Sequence, residues 1–326
     1  MAKLTMVQAL NLALAQEMQK DDAVIVLGED VGVDGGVFRV TEGLIEKFGA
    51  ERVVDTPLAE SGIVGMSIGM AVYGLKPVCE IQFSGFTYQA FHQIENHAAR
   101  LRWRSQGHLH VPMVLRTPYG GGVRALEHHS ESREAFWAHI PGLKMVIPSG
   151  PRNARALLVS AIRDPDPVIF YESKALYRAL REEVPEAEES LPLGTSQVVR
   201  KGKDITLISY GAMLRPTMEA AAQLAAEDGM EAEVIDLLTL APLDDTQFCA
   251  SVQKTGHAVL VNEAPRSFGP GAEIAARIME KSFFYLEAPI VRVTGFDVTI
   301  PYFSLEHSYL PGVQRILTAA RKTLAH

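Results

Sequence analysis

Short runs of Val, Ile and Leu alternate along the chain with longer stretches whose apolar residues return every three or four positions, predicting strands and helices in turn. A helix is expected over 5–20, capped by Thr5, because "TMVQALNLALAQEMQK" spaces its apolar residues helically and sets Gln8, Asn11, Gln16 and Glu17 among them. Strands follow at 23–28 and 52–55, then a glycine-rich helix after Ser61, a strand at 77–83, a long helix over 89–105 and a strand at 112–117. A strand at 142–147, a helix after Pro151 and a strand at 167–173 complete one unit. Its strands are near-continuous Val/Ile runs, the pattern of strands covered on both faces, so the unit reads as a parallel sheet between helices.

Between Leu180 and Asp204 the pattern lapses into "REEVPEAEESLPLG", too polar to pack and interrupted by proline. The alternation then resumes, with strands at 204–211, 231–237, 257–263 and 289–294 and helices at 215–227, 244–254, 271–281 and over "GVQRILTAARKTL". The fold class is therefore α/β, two domains that are each a mostly parallel sheet flanked by helices. The expected ranges are 1–185 for the first domain, 186–203 for a linker and 204–326 for the second. No sequence repeat relates the halves.

Composition narrows the functional classes. With 326 residues, 47% hydrophobic and 21% charged, the chain has the balance of a compact two-domain enzyme. A formal net charge of −8 argues against a nucleic-acid partner, which would call for a basic field. Cys79 and Cys249 lie far apart inside apolar patterns, which excludes a disulfide framework. The apolar residues of the N-terminal segment have helical spacing rather than that of a signal sequence, and no apolar run reaches membrane-spanning length. A cytoplasmic location is the expectation.

Candidate chemistry concentrates in two stretches. In "DTPLAESGIVGMSIGMAVYG" (55–74), Glu60 stands at a strand-to-helix turn, which in a parallel sheet is the carboxyl-end crevice where ligands bind. That position favours function, and an ordinary helix cap at Glu60 or Ser61 is the weaker alternative. Gly62, Gly65 and Gly69 share one helix face at a cost of roughly 1 kcal/mol each against alanine. They imply a close packing partner within the chain, in a second subunit or in a flat cofactor. The second stretch, "TPYGGGVRALEHHSESREAFWAHIPG" (117–142), satisfies G-x-G-x-x-A at Gly120, Gly122 and Ala125. A dinucleotide site needs a helix opening at those glycines and an acid after the next strand, and neither is present, so an NAD-linked dehydrogenase is the weaker alternative. His128 and His129 have no metal-ligand spacing, nor do His108 and His110. A proton-transfer role suits a histidine beside a glycine-lined crevice.

Long motifs then come into register. "GEDVG" (28–32), "DTPLAESGIVGMSIGMA" (55–71), "EIQFSGF" (80–86), "HHSESREAFWAHIPGLKMVIPS" (128–149) and "AIRDPDPVIFYE" (161–172) resemble the β subunit of thiamine-diphosphate-dependent 2-oxo acid dehydrogenases, the E1 component. "KGKDITLISYGAM" (201–213), "TGHAVLVNEAP" (255–265) and "LEAPIVRVTGFD" (286–297) extend the likeness over essentially the whole chain. The resemblance implies a transketolase-like pyrimidine-binding domain followed by a transketolase C-terminal-type domain that mainly serves assembly. Glu60 matches the acid that hydrogen-bonds N1′ of the cofactor's aminopyrimidine. Walled by Leu58, Ile63 and Gly62, such a carboxyl would be desolvated and its pKa raised. Gln82 and Phe86 fall on positions that contact and stack on that ring, with Leu58 adjacent, and His129 matches a histidine that assists acyl transfer to the lipoyl disulfide. Glu131 stands where relatives frequently have Gln.

By the same similarity Asp164, with backbone near 111–114, would hold a monovalent cation such as K+. The chain has no G-D-G followed by N-N, the segment that ligates Mg2+ and the diphosphate in this cofactor class. The resemblance thus implies thiamine diphosphate shared with an E1 α subunit in an α2β2 heterotetramer, Mg2+ held mainly by α, and an E2 lipoyl acyltransferase as acceptor. Pyruvate, a branched-chain 2-oxo acid and the substrate of an acetoin dehydrogenase remain open as substrates.

Overall fold

The structure, a computed structural model, describes residues 2–326. Two compact units divide the chain: one holds everything up to Tyr119 together with Phe136–Leu193, the other Gly120–Ala135 together with Gly194–His326. In chain order the first part comprises β1 (Ala2–Leu4), α1 (Met6–Lys20), β2 (Val24–Gly28), α2 (Leu44–Phe48), β3 (Val53–Asp55), α3 (Glu60–Val72) and β4 (Lys76–Glu80). Next come α4 (Leu101–Arg104), β5 (Val114–Tyr119), α5 (Glu134–Ala138), β6 (Lys144–Val146), α6 (Pro151–Arg163), β7 (Val168–Ser173) and β8 (Glu182–Val184). The remainder comprises β9 (Gln197–Arg200), β10 (Ile205–Ser209), α7 (Leu214–Gln223), β11 (Ala232–Asp236), β12 (Thr239–Ala241), α8 (Asp245–Thr255) and β13 (Ala258–Val261). It closes with α9 (Pro270–Ser282), β14 (Val291–Val293), α10 (Glu306–Tyr309) and α11 (Val313–Leu324).

In the first unit six parallel strands run in the order β6-β7-β5-β4-β2-β3. Every residue of β2, β5 and β7 is buried, as strands covered on both faces require. Helix α1 starts where the sequence places it, with Thr5 and Gln8 forming a reciprocal capping box. Its polar residues do not all face water. Glu17 is buried against α6, where Arg163 grips both of its oxygens at 2.7 Å, and Arg155 donates to Gln16 at 2.7 Å.

The second unit has its own sheet, β14-β13-β10-β11-β9, parallel except for the antiparallel edge strand β9. That strand lies inside the stretch expected to be a linker. Its four residues are half-buried on a sheet edge, a pattern too short and too mixed to stand out beside "EAEESLPLG". The unit boundaries accordingly differ from 1–185, 186–203 and 204–326: the second unit begins at Gly194 and also takes in Gly120–Ala135. The helix expected over 89–105 is instead a 3-10 turn (Ser84–Ala90), a π turn (Gln93–Ala98) and α4. Apolar spacing reports which face is buried, not which carbonyl each N–H meets, so these windings share one sequence signature.

Candidate active site

Strands β3, β2 and β4 are adjacent and parallel, so the segments leaving their carboxyl ends meet along one edge, where open α/β sheets bind ligands. From β2 come Glu29 and Asp30, from β3 comes Glu60 as the first residue of α3, and from β4 come Gln82 and then Phe86 in the 3-10 turn. The β2 exit is tightly held. Asp55 accepts from the backbone of Gly32 (2.6 Å) and Val33 (3.1 Å), and Thr56 N–H donates to the Gly28 carbonyl at 2.9 Å. A side chain at Gly28 would come within 2.7 Å of the Glu80 carbonyl oxygen, so this close approach of β2 and β4 requires glycine.

Glu60 is half-buried, and neither it nor Ser61 caps its helix: the cap position is Ala59, without a side-chain hydrogen bond, and the Ser61 hydroxyl donates to the Gln89 carbonyl. The cap reading of this carboxylate is thereby removed. Gln82 Nε2 donates to Asp30 Oδ2 at 3.2 Å. The Glu29 carboxyl is held above the ordinary carboxylate range by its burial first and then by the charges of Asp30 and Glu60, which places both of those acids within electrostatic range of it. Phe86 meets Phe83 edge-on at 5.6 Å, and Phe83 continues to Phe38 at 5.7 Å, so the ring at 86 is braced from behind. Leu58 departs from expectation. It is 69% exposed, and Gly62 is exposed too, so of the three residues expected to wall Glu60 only Ile63, at 3%, is buried.

Below this edge lies a charge cluster that sequence reading missed. Arg116 on β5 forks onto Glu172 of β7 at 2.8 Å through two nitrogens and also donates to Glu80 of β4, while Tyr177 donates its hydroxyl to Glu172 at 2.7 Å. Burial disfavours the Arg116 charge, but the two carboxylates outweigh it and hold the guanidinium well above its usual range. The cluster ties the central strands β4, β5 and β7 together. Glu29 and Asp30 were also unassigned, although "GEDVG" follows a strand just as Glu60 does and the same positional argument would have found them.

His129 sits with His128 on a 3-10 turn (Glu127–His129), both half-buried with ring centres 4.3 Å apart, in the segment that belongs to the second unit. Glu60, Gln82 and Phe86 belong to the first. Beneath the histidine segment is a cavity of about 30 Å³ lined in part by Ser130, Ser132, Glu263 and Tyr309. That is room for a water, and it lies beside two buried serine hydroxyls with no protein partner. The glycines before it open no helix: Gly121 and Gly122 donate their N–H groups to the carboxylates of Glu263 and Glu306. A dinucleotide pyrophosphate would meet two anions there, which sets the NAD reading aside. Asp164 caps the end of α6, and Lys144 Nζ contacts both of its oxygens at 2.6 and 2.7 Å. The Asp164 carboxylate, expected to ligate a monovalent cation, is thus paired with an ammonium of the chain itself. His108 and His110 are exposed, and among the described residues no group of three His, Cys, Asp or Glu side chains could hold a metal. Both cysteines are buried free thiols.

The sheet edge offers a carboxyl, an amide and a braced aromatic ring, and two family models match the chain: residues 2–179 match "Transketolase, pyrimidine binding domain" and 194–316 match "Transketolase, C-terminal domain". Among solved structures, "Split gene transketolase, inactive beta4 tetramer" superposes with a TM-score of 0.82 over 99% of both chains, and at 23% identity this speaks for the fold alone. Curated relatives carry the assignment further. "Pyruvate dehydrogenase E1 component subunit beta" of Acholeplasma laidlawii is 49% identical over 99% of this chain and 98% of its own length. The same-named protein of Staphylococcus epidermidis is 51% identical over 99% of each. The chain belongs to the family of pyruvate dehydrogenase E1 component β subunits, a thiamine-diphosphate-dependent family.

The donor set fits half of that cofactor. An aminopyrimidine presents ring nitrogens and an exocyclic amine to be matched by a carboxyl, an amide and an aromatic face, groups of the kind that Glu60, Gln82 and Phe86 would offer. A diphosphate does not fit the same edge, because Glu29, Asp30 and Glu60 would repel it.

Proposed function

We propose that this chain is the β half of a 2-oxo acid dehydrogenase that oxidatively decarboxylates its substrate and passes the acyl group to the lipoyl group of an E2 acyltransferase. The observation that carries the reading is the meeting of Glu60, Gln82, Phe86 and the Glu29–Asp30 pair at the ends of three adjacent strands. When bound, thiamine diphosphate supplies the nucleophilic carbon and the electron sink for loss of CO₂. The Glu60 carboxyl holds a proton for the pyrimidine N1′, Gln82 orients the ring through its amide, and Phe86 gives it a flat apolar face. His129 moves a proton while the lipoyl disulfide takes up the acyl group.

Because the acidic edge suits the heterocycle and not the diphosphate, a companion α subunit supplies the cation, Mg2+, and the backbone donors that offset phosphate charge, in an α2β2 assembly. The exposed face of α3, which carries Gly62, Gly65, Gly69 and Met66 and leads into Tyr73, is the contact we assign to subunit packing. Asp164 stays outside the catalytic steps, since a K+ ion there competes with Lys144 for the same oxygens. Among the described residues no helix is long and apolar enough to cross a membrane, and we place the reaction in the cytoplasm.

Pyruvate is the substrate we assign, as it is the acid in the names of the relatives. The test is coexpression with an α subunit and ferricyanide-coupled decarboxylation across pyruvate, branched-chain 2-oxo acids and acetoin. Pyruvate should give the highest kcat/KM. Preference for a branched-chain acid or acetoin would overturn the substrate assignment, and no turnover of any of them would overturn the reading itself.

A further inference from the structure

The segment that carries the histidines is fastened to the second unit by buried carboxylates. After β5 the chain enters Gly120-Gly121-Gly122, and Gly121 N–H donates to Glu263 Oε2 at 2.8 Å. Gly122 N–H donates to Glu306 Oε1 and Arg124 N–H to Glu306 Oε2, both at 3.0 Å, so one carboxylate spans two backbone donors. Glu263 and Glu306 are 2% and 4% exposed, and a buried carboxylate has to be balanced by donors of this kind. The glycines are what let the backbone come so close. With Gly120 at φ +81°, a Cβ would lie 2.7 Å from Glu263 Oε1, and a Cβ on Gly121 would meet Ile300, Glu306 and Leu310 at 3.1 to 3.2 Å.

The other end of the segment is secured as well. Gly120 N–H donates to the Glu131 carbonyl at 3.0 Å, closing the loop at its base, and Tyr210 donates its hydroxyl to Glu134 at 2.7 Å. Glu306 is itself held, since α10 is anchored by Arg315, whose guanidinium donates to the Tyr309 carbonyl at 3.0 Å. His128 and His129 thus sit within a closed loop whose first turn rests on two anions from 142 and 184 residues downstream.

We infer that Glu306, with Glu263, is a positioning residue for acyl transfer: it clamps the Gly120–Arg124 turn and thereby fixes where His129 stands. This rests on the reading of His129 as the acyl-transfer histidine, and it gives the second unit a part in the reaction beyond assembly. The clamp residues all belong to the second unit, and the residues read as holding the pyrimidine belong to the first, so the clamp should govern one half-reaction only.

The test uses the assembled α/β complex with Glu306→Gln, which keeps the side-chain shape but replaces one acceptor oxygen by a donor. Transfer to an isolated lipoyl domain should lose about tenfold or more in kcat/KM, the scale of a misplaced reacting group, while ferricyanide-coupled decarboxylation stays within about twofold. Combined with His129→Ala, the variant should add no further loss, because both act through one group. Gly121→Ala, which crowds the same carboxylate without removing it, should give the same split. Backbone amide exchange over 120–126 should be faster in Glu306→Gln. Equal losses in both assays, or losses that add to those of His129→Ala, would overturn the positioning role. If His129→Ala itself leaves transfer intact, the histidine reading fails and the positioning role for acyl transfer falls with it, while exchange decides the clamp alone: unchanged exchange overturns the clamp, and faster exchange upholds it as a hold on the Gly120–Arg124 turn.

Discussion

Glu134 and Glu60 differ in burial, the first enclosed and the second half-buried. Glu134 is fully buried, and its pKa is pushed up from an ordinary 4.5 to about 7, by burial first, with the charge of Glu263 adding to the shift and the Tyr210 hydrogen bond opposing it. The sign of the linkage follows directly. Between pH 4.5 and 7 an unfolded chain gives up a proton that the folded chain keeps, so folding stability falls across that window and stays lower above it. The full effect is about 3 kcal/mol for a shift of this size. Glu134→Gln should therefore gain in melting temperature relative to the parent on going from pH 5 to pH 8, and a difference independent of pH would contradict the assignment. Glu60 was legible in the sequence because its position at a strand-to-helix turn is a local property. Glu134 was not, since its burial and its partner Tyr210, 76 residues away, are set by tertiary packing.

Helix α3 shows how far an element can be read from spacing. Three glycines on one face required a close neighbour, and the face is bare within this chain: a Cβ on Gly69 meets nothing within 4 Å and one on Gly65 only Gln93, at 3.8 Å. Packing inside the chain therefore does not explain them, which leaves a second subunit or a flat cofactor, and the subunit is the contact we propose. Opposite signs are expected from one substitution. Gly69→Ala should stabilise the isolated chain by up to about 1 kcal/mol through helix propensity while weakening α/β assembly where backbones must approach. Thermal melts of the chain alone and sedimentation of the coexpressed pair measure the two effects, and unchanged assembly would contradict the interface. Elements with a strong apolar period, such as α1, α6 and β7, were legible to within a few residues. The edge strand β9 was not, because four half-buried residues beside a proline-rich segment carry no period, nor was the antiparallel pairing of β1 with β8 at residues Ala2 and Val184.

At the scale of the molecule the chain is asymmetric in its chemistry. Its first unit gathers acids and an amide suited to a heterocycle, its second holds the histidine segment on buried carboxylates, and the described residues include no cluster able to hold a metal. Long motifs in register disclosed the family from sequence. They could not disclose Arg116 with Glu80 and Glu172, or Glu306 with the glycine turn, since those partners are joined only by the fold. The central claim is that Glu60 holds the proton on which the chemistry depends, and ferricyanide-coupled decarboxylation by the assembled complex carrying Glu60→Gln tests it most directly. The account predicts an intact tetramer with activity reduced on the order of 100-fold or more, the scale of a lost acid–base group. Activity near that of the parent complex would contradict it.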